Sequence, residues 1–377
     1  MRLIPILVAL FTLIILVVLS STALGIREEY DPVVISVGVP LSGHWDAEGS
    51  AILRAVELAT EEINNDGGLL GRRLLLAIND TEAAPLVAAE LARSWSEEGT
   101  ILAHLGGFAS GPTIAAQRYF DSEGLLQLSP TVGHVAFAAG SPWSFSMVGL
   151  QEGEGRSNAR FAFDILKARK AAILYRQDDW GRRLAEEFHS EFADLGGDVV
   201  AREYYFETNP RFPELLERIR RSQPDLVYIV SKEREGLEIC RFRGSDPWKE
   251  VPFLAPSKLH SPGFLREAGA DAEGLIVSAL FAPQNGEPRS HSFYQSYLSH
   301  YGEEPSLAAA LAYDAIHLLA DAVARAGTLD REIVRRSLAE TDGWHGVTGR
   351  LRFTPEGNAL REYTHLTIRE GRFAAEE

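Results

Sequence analysis

Short runs of β-branched and apolar residues alternate with helical segments along most of this chain, and that alternation limits the fold more than any other feature. Val33-Val34-Ile35-Ser36-Val37-Gly38-Val39 is a buried-strand run that stops at Pro40. After Ser50, a candidate N-cap, Ile52, Ala55, Val56, Ala59 and Ile63 recur at helical spacing until Asn65-Asp66-Gly67-Gly68 ends the helix. Residues 74–78 read as a second strand, 85–95 as a helix, 101–105 as a third strand, and a helix follows from Pro112. After a strand at 125–128 the pattern resumes with strands at 171–175, 199–205 and 226–230 and helices at 182–195 and 212–221. Such alternation means βαβ units, a parallel sheet covered by helices on both faces. It runs twice, with a less regular stretch at 131–158 between, so two doubly wound α/β lobes are expected. Helices at about 288–301, 307–326 and 330–340 and strands at 346–353 and 363–369 complete the chain. Its 377 residues suit two domains of roughly 150 residues each.

The first thirty residues are of another kind. Arg2 is the only charge before Arg27, and Leu3 to Leu19 is almost wholly apolar. Ser20-Ser21-Thr22-Ala23-Leu24-Gly25 then offers two small-x-small cleavage sites, the layout of a secretory signal over residues 1–25. A retained anchor is the alternative, since seventeen apolar residues just miss a comfortable span. No cysteine stands near residue 25, so a lipoprotein is not expected, and the mature chain should lie in the periplasm or outside the cell.

Composition narrows the partners. With 37 Lys+Arg against 53 Asp+Glu the net charge is −16, and phosphate backbones would repel the chain, so nucleic acid is not an expected partner. The single cysteine, Cys240, can form neither an intramolecular disulfide nor a cysteine zinc site, and no His-x-x-x-His pair suggests a metal. There is no P-loop and no Gly-x-Gly-x-x-Gly after a strand, and Gly107-Phe108-Ala109-Ser110-Gly111 places its serine one position late for a nucleophile elbow. Neither catalysis nor a cofactor is expected. Two extracytoplasmic lobes without catalytic parts point to reversible binding of a small molecule in the cleft between them.

In open parallel sheets, ligands meet the loops at the carboxyl ends of strands. The loop Gly106 to Thr113 leads into a helix with Pro112 in its first turn, so Ala109, Ser110 and Gly111 lie where free N–H groups can receive an anion. Read alone, Ser110 is equally a helix cap. Thr131, in Ser129-Pro130-Thr131, offers a hydroxyl and an N–H, or ordinary turn chemistry.

These landmarks, in this order, resemble the type I periplasmic solute-binding proteins of the leucine/isoleucine/valine class. The resemblance spans about residues 32–370. It rests on Val37-Gly38-Val39-Pro40-Leu41-Ser42-Gly43, Glu62-Ile63-Asn64-Asn65-Asp66-Gly67-Gly68, Asn79-Asp80-Thr81, the Gly106–Thr113 loop, Asp179-Trp180-Gly181, Pro224-Asp225-Leu226-Val227-Tyr228 and Gly274-Leu275-Ile276-Val277. It implies a Venus-flytrap fold with three crossing strands. The implied lobes are 32–150 with 280–340 and 151–279 with 341–377. It further implies that Ser110 and Thr131 bind a solute carboxylate, and that Trp180, in a turn between Asp179 and Gly181, closes over the solute from the second lobe. A partly exposed core tryptophan is the other reading of Trp180.

Departures from the family's pattern bear on the ligand. Gly133 stands where many members carry a hydroxyl. Ser257 falls where the ammonium-binding acid is expected, Lys232 where a tyrosine is, and Glu48 where an aromatic is. Glu48 and Lys232 read either as ligand contacts or as solvated charges. An amino acid, an amide or a carboxylic acid therefore remains open. The expected partner is a membrane ABC permease, or in a second reading a sensor protein signalled in trans.

Overall fold

The computed structural model describes residues 31–150, 153–208, 210–243, 248, 250–283 and 287–375. The expected signal at 1–25 lies outside these residues. Strands β1 (Val33–Val39), β2 (Leu74–Asp80), β3 (Ile101–Gly106), β4 (Leu126–Ser129) and β5 (Ser144–Ser146) form one parallel sheet in the order β2-β1-β3-β4-β5. The apolar run of β1 is buried on both faces, as a central strand between two helix layers must be.

A second sheet begins with β6 (Lys170–Arg176), β7 (Asp198–Tyr205), β8 (Leu226–Val230), β9 (Phe253–Ala255) and β10 (Ile276–Ala279). After three more helices come β11 (Trp344–Gly346), β12 (Gly349–Phe353) and β13 (Ala359–Arg361), a small antiparallel sheet of their own. Strands β14 (Thr364–Arg369) and β15 (Arg372–Ala375) then join the second sheet, ordered β15-β14-β10-β9-β8-β6-β7. Only β14 runs against the other strands there, pairing antiparallel with β10 on one side and with β15 on the other. The chain thus passes between the two large sheets three times: after β5, after β10 and after β13.

The segment expected to lie wholly in the second lobe, 341–377, is divided. Val347, Leu351, Phe353 and Ala359 are buried in the first core, with the helices Asp46–Asn65 and Leu307–Ala326. Only the residues from β14 onward pack in the second. Asp314 is the physical reason. Its buried carboxylate accepts from the N–H groups of Val347 (2.7 Å) and Thr348 (2.9 Å) and from the Thr348 hydroxyl. Those bonds also break the strand expected at 346–353 into β11 and β12. Leu307–Ala326 is, among the described residues, the one helix long and apolar enough to cross a membrane, and most of it is buried inside the first lobe.

Sheet order locates the crevice. In the first sheet β2 and β3 flank β1, so successive crossovers leave in opposite directions between β1 and β3; the same switch falls between β6 and β8 in the second. Ligands of doubly wound sheets bind at the carboxyl side of such switch points.

Candidate functional site

At the first switch point, the loops after β1 and β3 are pinned from below. Asp80 accepts from Leu41 N (2.8 Å) and Glu82 N (2.7 Å). Burial pushes the Asp80 carboxyl up, but hydrogen bonds from Ser42, Leu41 and Glu82 outweigh it and hold it below the usual range. Gly107 has φ +83°, and a Cβ there would lie 2.1 Å from the Thr113 hydroxyl oxygen, so only glycine lets the second loop close on its helix. Three hydroxyls hold that loop. Thr113 donates to Ala109 O (2.7 Å), Ser129 to Gly107 O (3.0 Å), and Thr131 to Gly107 O (3.2 Å) and Phe108 O (3.0 Å).

Ser110 does not cap. The N-cap of the helix Ser110–Ser122 is Ala109, and no side chain bonds its first turn. The reason is one of register: Ser110 already has its place as the first helical residue, too late to reach the N–H groups a cap serves. The Ser110 hydroxyl makes no hydrogen bond to the described residues, and the Ser110 and Gly111 N–H groups have no intrahelical acceptor. Beside them Trp45, 39% exposed, leans on Phe108 with ring centroids 5.1 Å apart. Sequence reading missed this aromatic pair; its signal was two aromatics in the two loops that flank one switch point.

Gly133 is exposed, and a Cβ there would meet the backbone oxygen of Gly149 at 2.5 Å, so the missing hydroxyl has a steric cause. Glu48 sits in the first turn of Asp46–Asn65, half-buried.

At the second switch point the expected turn Asp179-Trp180-Gly181 is the first turn of the helix Asp179–Asp194, because the Asp178 carboxylate accepts from Gly181 N (2.8 Å) and starts the helix three residues early. Trp180 is half-buried against the core under β6 and β8, and its indole N–H is buried without an acceptor. Asp178 also binds Arg176 (2.7 Å) and lies 3.9 Å from Lys232, which is half-exposed. Arg176 in turn holds Glu235 (2.7 Å) and Glu207, and Arg234 reaches the same two acids, so Lys232 is one of two exposed cations on the rim of a charge network.

Ser257 follows β9, and its N–H donates 2.6 Å to Oε1 of Glu154. Glu154, fully buried at the start of the helix Glu154–Arg160, also accepts from the Ser278 hydroxyl (2.8 Å). Burial pushes its carboxyl up. A carboxylate thus stands beside position 257, brought from 103 residues away in the sequence, which no local pattern announces. Its Oε2 is buried without a partner, as are Gln177 Oε1 after β6 and Ser231 Oγ after β8. With the Trp180 N–H, four buried polar atoms around the carboxyl ends of neighbouring strands β6, β8 and β9 find no partner among the described residues. Native proteins leave few such atoms, and each needs a cause.

The structure thus gathers Ala109, Ser110 and Thr131 into one loop cluster. Asp178 links Lys232 to the first turn of the helix that carries Trp180, and Ser257 meets Glu154. Gly133 and Glu48 join none of these hydrogen-bonded groups.

Residues 32–371 match the profile of the periplasmic binding protein family. A structure from Rhodospirillum rubrum, described as a branched-chain amino acid ABC transporter, is 30% identical with a TM-score of 0.84 over 92% of this chain and 100% of its own. A Desulfitobacterium hafniense ABC transporter substrate-binding protein in complex with Leu is 26% identical, TM-score 0.73, over 91% and 99%. The Leu/Ile/Val-binding protein homolog 1 of Brucella suis is 24% identical over 330 residues, 86% of this chain and 87% of its own.

Proposed function

Because this chain belongs to the periplasmic binding protein family, we propose that it captures a small carboxylate-bearing solute between its lobes and presents it to an ABC permease. The first lobe supplies the anion end. The Ser110 hydroxyl and the N–H groups of Ser110 and Gly111 receive the carboxylate, favoured by the positive end of the helix Ser110–Ser122. Thr131 fixes the loop that carries them rather than spending its proton on the ligand.

The four unsatisfied polar atoms of the second lobe carry this reading. Two are carboxyl or amide oxygens, of Glu154 and Gln177, which only accept when Glu154 is ionised; Trp180 only donates; Ser231 does either. A solute that offers N–H groups opposite its carboxylate answers this set, which favours an amino acid over a plain carboxylic acid. The ring of Trp180, with Trp45 and Phe108 from the first lobe, covers the solute's apolar part. Closure about the three crossings brings the two half-sites together, and the permease reads the closed form. Residues 1–25 act as a cleaved signal, and the mature protein works in the periplasm.

A thermal-shift screen with amino acids, their amides and matched carboxylic acids tests this, since a ligand stabilises by mass action. Amino acids should raise the melting temperature most, above their amides and the matched carboxylic acids. Stabilisation only by ligands lacking a carboxylate would refute the proposal.

A further inference from the structure

A second cavity, of about 330 Å³, lies within the first lobe's outer layer, between the helices Asp46–Asn65, Pro288–Tyr301 and Leu307–Ala326 and the strand β11. None of its lining residues belongs to the loops at the switch points. Its walls are fixed. Asp314 pins the chain after β11, as described. The Ser290 hydroxyl donates to Val347 O, and Arg289 to His345 O. Glu62 receives the Tyr313 hydroxyl and lies 3.2 Å from His317 Nε2. Gly346 admits no side chain, because a Cβ would lie 2.3 Å from Asp314 Oδ1 and from the Trp344 ring. A cavity of this size, open on one side and with its walls hydrogen-bonded together, is a preformed small-molecule site rather than a gap between mobile parts.

Its lining has a direction. Phe293, Tyr313 and His317 form a continuous ring surface, with successive centroids 4.4 Å apart, and Trp344 lines the cavity with them. Glu62 is already occupied by two partners. Burial alone would raise its carboxyl, but the hydrogen bonds from His317 and Tyr313 hold it below the usual range, so it stays ionised and satisfied. Arg289 spends one N–H on a carbonyl and is otherwise exposed, beside the half-buried His345. Unspent donors therefore gather at one end of an aromatic floor.

We propose that this cavity binds a small aromatic carboxylate, its ring against the partly exposed Tyr313, His317 and Trp344 and its carboxylate on Arg289 and His345. The site is independent of the interlobe cleft. It is tested with 4-fluorobenzoate by fluorine NMR titration, on the full chain carrying Ser110→Ala and Trp180→Ala so that the cleft is weakened. Saturable binding should persist there, and Arg289→Gln should weaken it at least fivefold. Trp344→Ala should weaken it further, while thermal melts show both variants folded. Arg289 is exposed, so its substitution does not threaten the fold. Absence of saturable binding to the cleft variant, or equal affinity with and without Arg289→Gln, would overturn the proposal. Failure of the cleft reading shows separately, as unchanged affinity for the cleft solute in the Ser110→Ala, Trp180→Ala chain.

Discussion

Ser110→Ala separates binding from folding more cleanly than any other change in this protein. The Ser110 hydroxyl has no partner among the described residues, while its neighbours Thr113, Ser129 and Thr131 all bond backbone carbonyls. Removing it therefore deletes no internal hydrogen bond. A hydrogen bond to a charged group contributes about 1.5–3 kcal/mol, and a tenfold change in Kd corresponds to about 1.4 kcal/mol. Affinity for a carboxylate solute should fall roughly tenfold to a hundredfold. The melting temperature of the free protein should stay within about 1 °C, since a substitution that breaks no contact costs under ~0.5 kcal/mol. Isothermal titration with the strongest solute from the thermal screen, together with calorimetric melts of the free chain, measures both. A Kd within twofold of the parent would refute the anion site. A melt lowered by several degrees would show that Ser110 holds structure instead. Thr131→Val is the internal contrast: it takes the hydroxyl from the Phe108 carbonyl and leaves Gly107 O to Ser129 alone, so stability should fall by about 1 kcal/mol along with affinity.

Three further outcomes follow from the packing. Gly133→Thr should lower the melting temperature, because its Cβ would meet Gly149 O at 2.5 Å and relieving that contact costs about 1–3 kcal/mol; an unchanged melt would show that the crossing after β5 yields freely. Asp314→Ala leaves the Val347 and Thr348 N–H groups unpaired inside the first core, so denaturant unfolding should show a loss of about 2–5 kcal/mol. Burial lowers His104 and His365 to about 3 and His260 to about 4. Each is neutral when folded and takes up a proton in the unfolded chain below about pH 6.5. Stability is therefore full above that pH and falls as pH drops toward 4, by up to about 1.4 kcal/mol per unit for each ring. His104→Phe, which keeps a ring between Trp95 and Phe120, should flatten this slope; chemical denaturation at pH 7.5, 6.5 and 5.5 reads it, and a slope unchanged by the substitution counts against the mechanism.

Much of the loop framework of the proposed first half-site was legible in the chain. Strand periodicity placed β1 and β3, and the glycines and proline of the loop at 106–113 placed the helix start and hence Ser110, because turn chemistry acts over a few residues. The charges of the second half-site were not legible in the same way. Lys232 reads as a free cation until Asp178 is seen beside it, and position 257 reads as lacking an acid until Glu154 arrives from 103 residues earlier.

The same division governs the architecture. Two βαβ series, their loops and an acidic, nearly cysteine-free composition are set by residue patterns with periods of two and 3.6, and these need no distant partner. Which lobe owns β11 to β13 is decided by Asp314 in a helix thirty-odd residues away, and the second cavity exists only where four separate segments meet. Local patterns specify elements because backbone sterics and side-chain spacing are local. Pairings of buried charge and unsatisfied polar atoms depend on which strand ends the completed sheets bring together, and so they are fixed only by the tertiary structure.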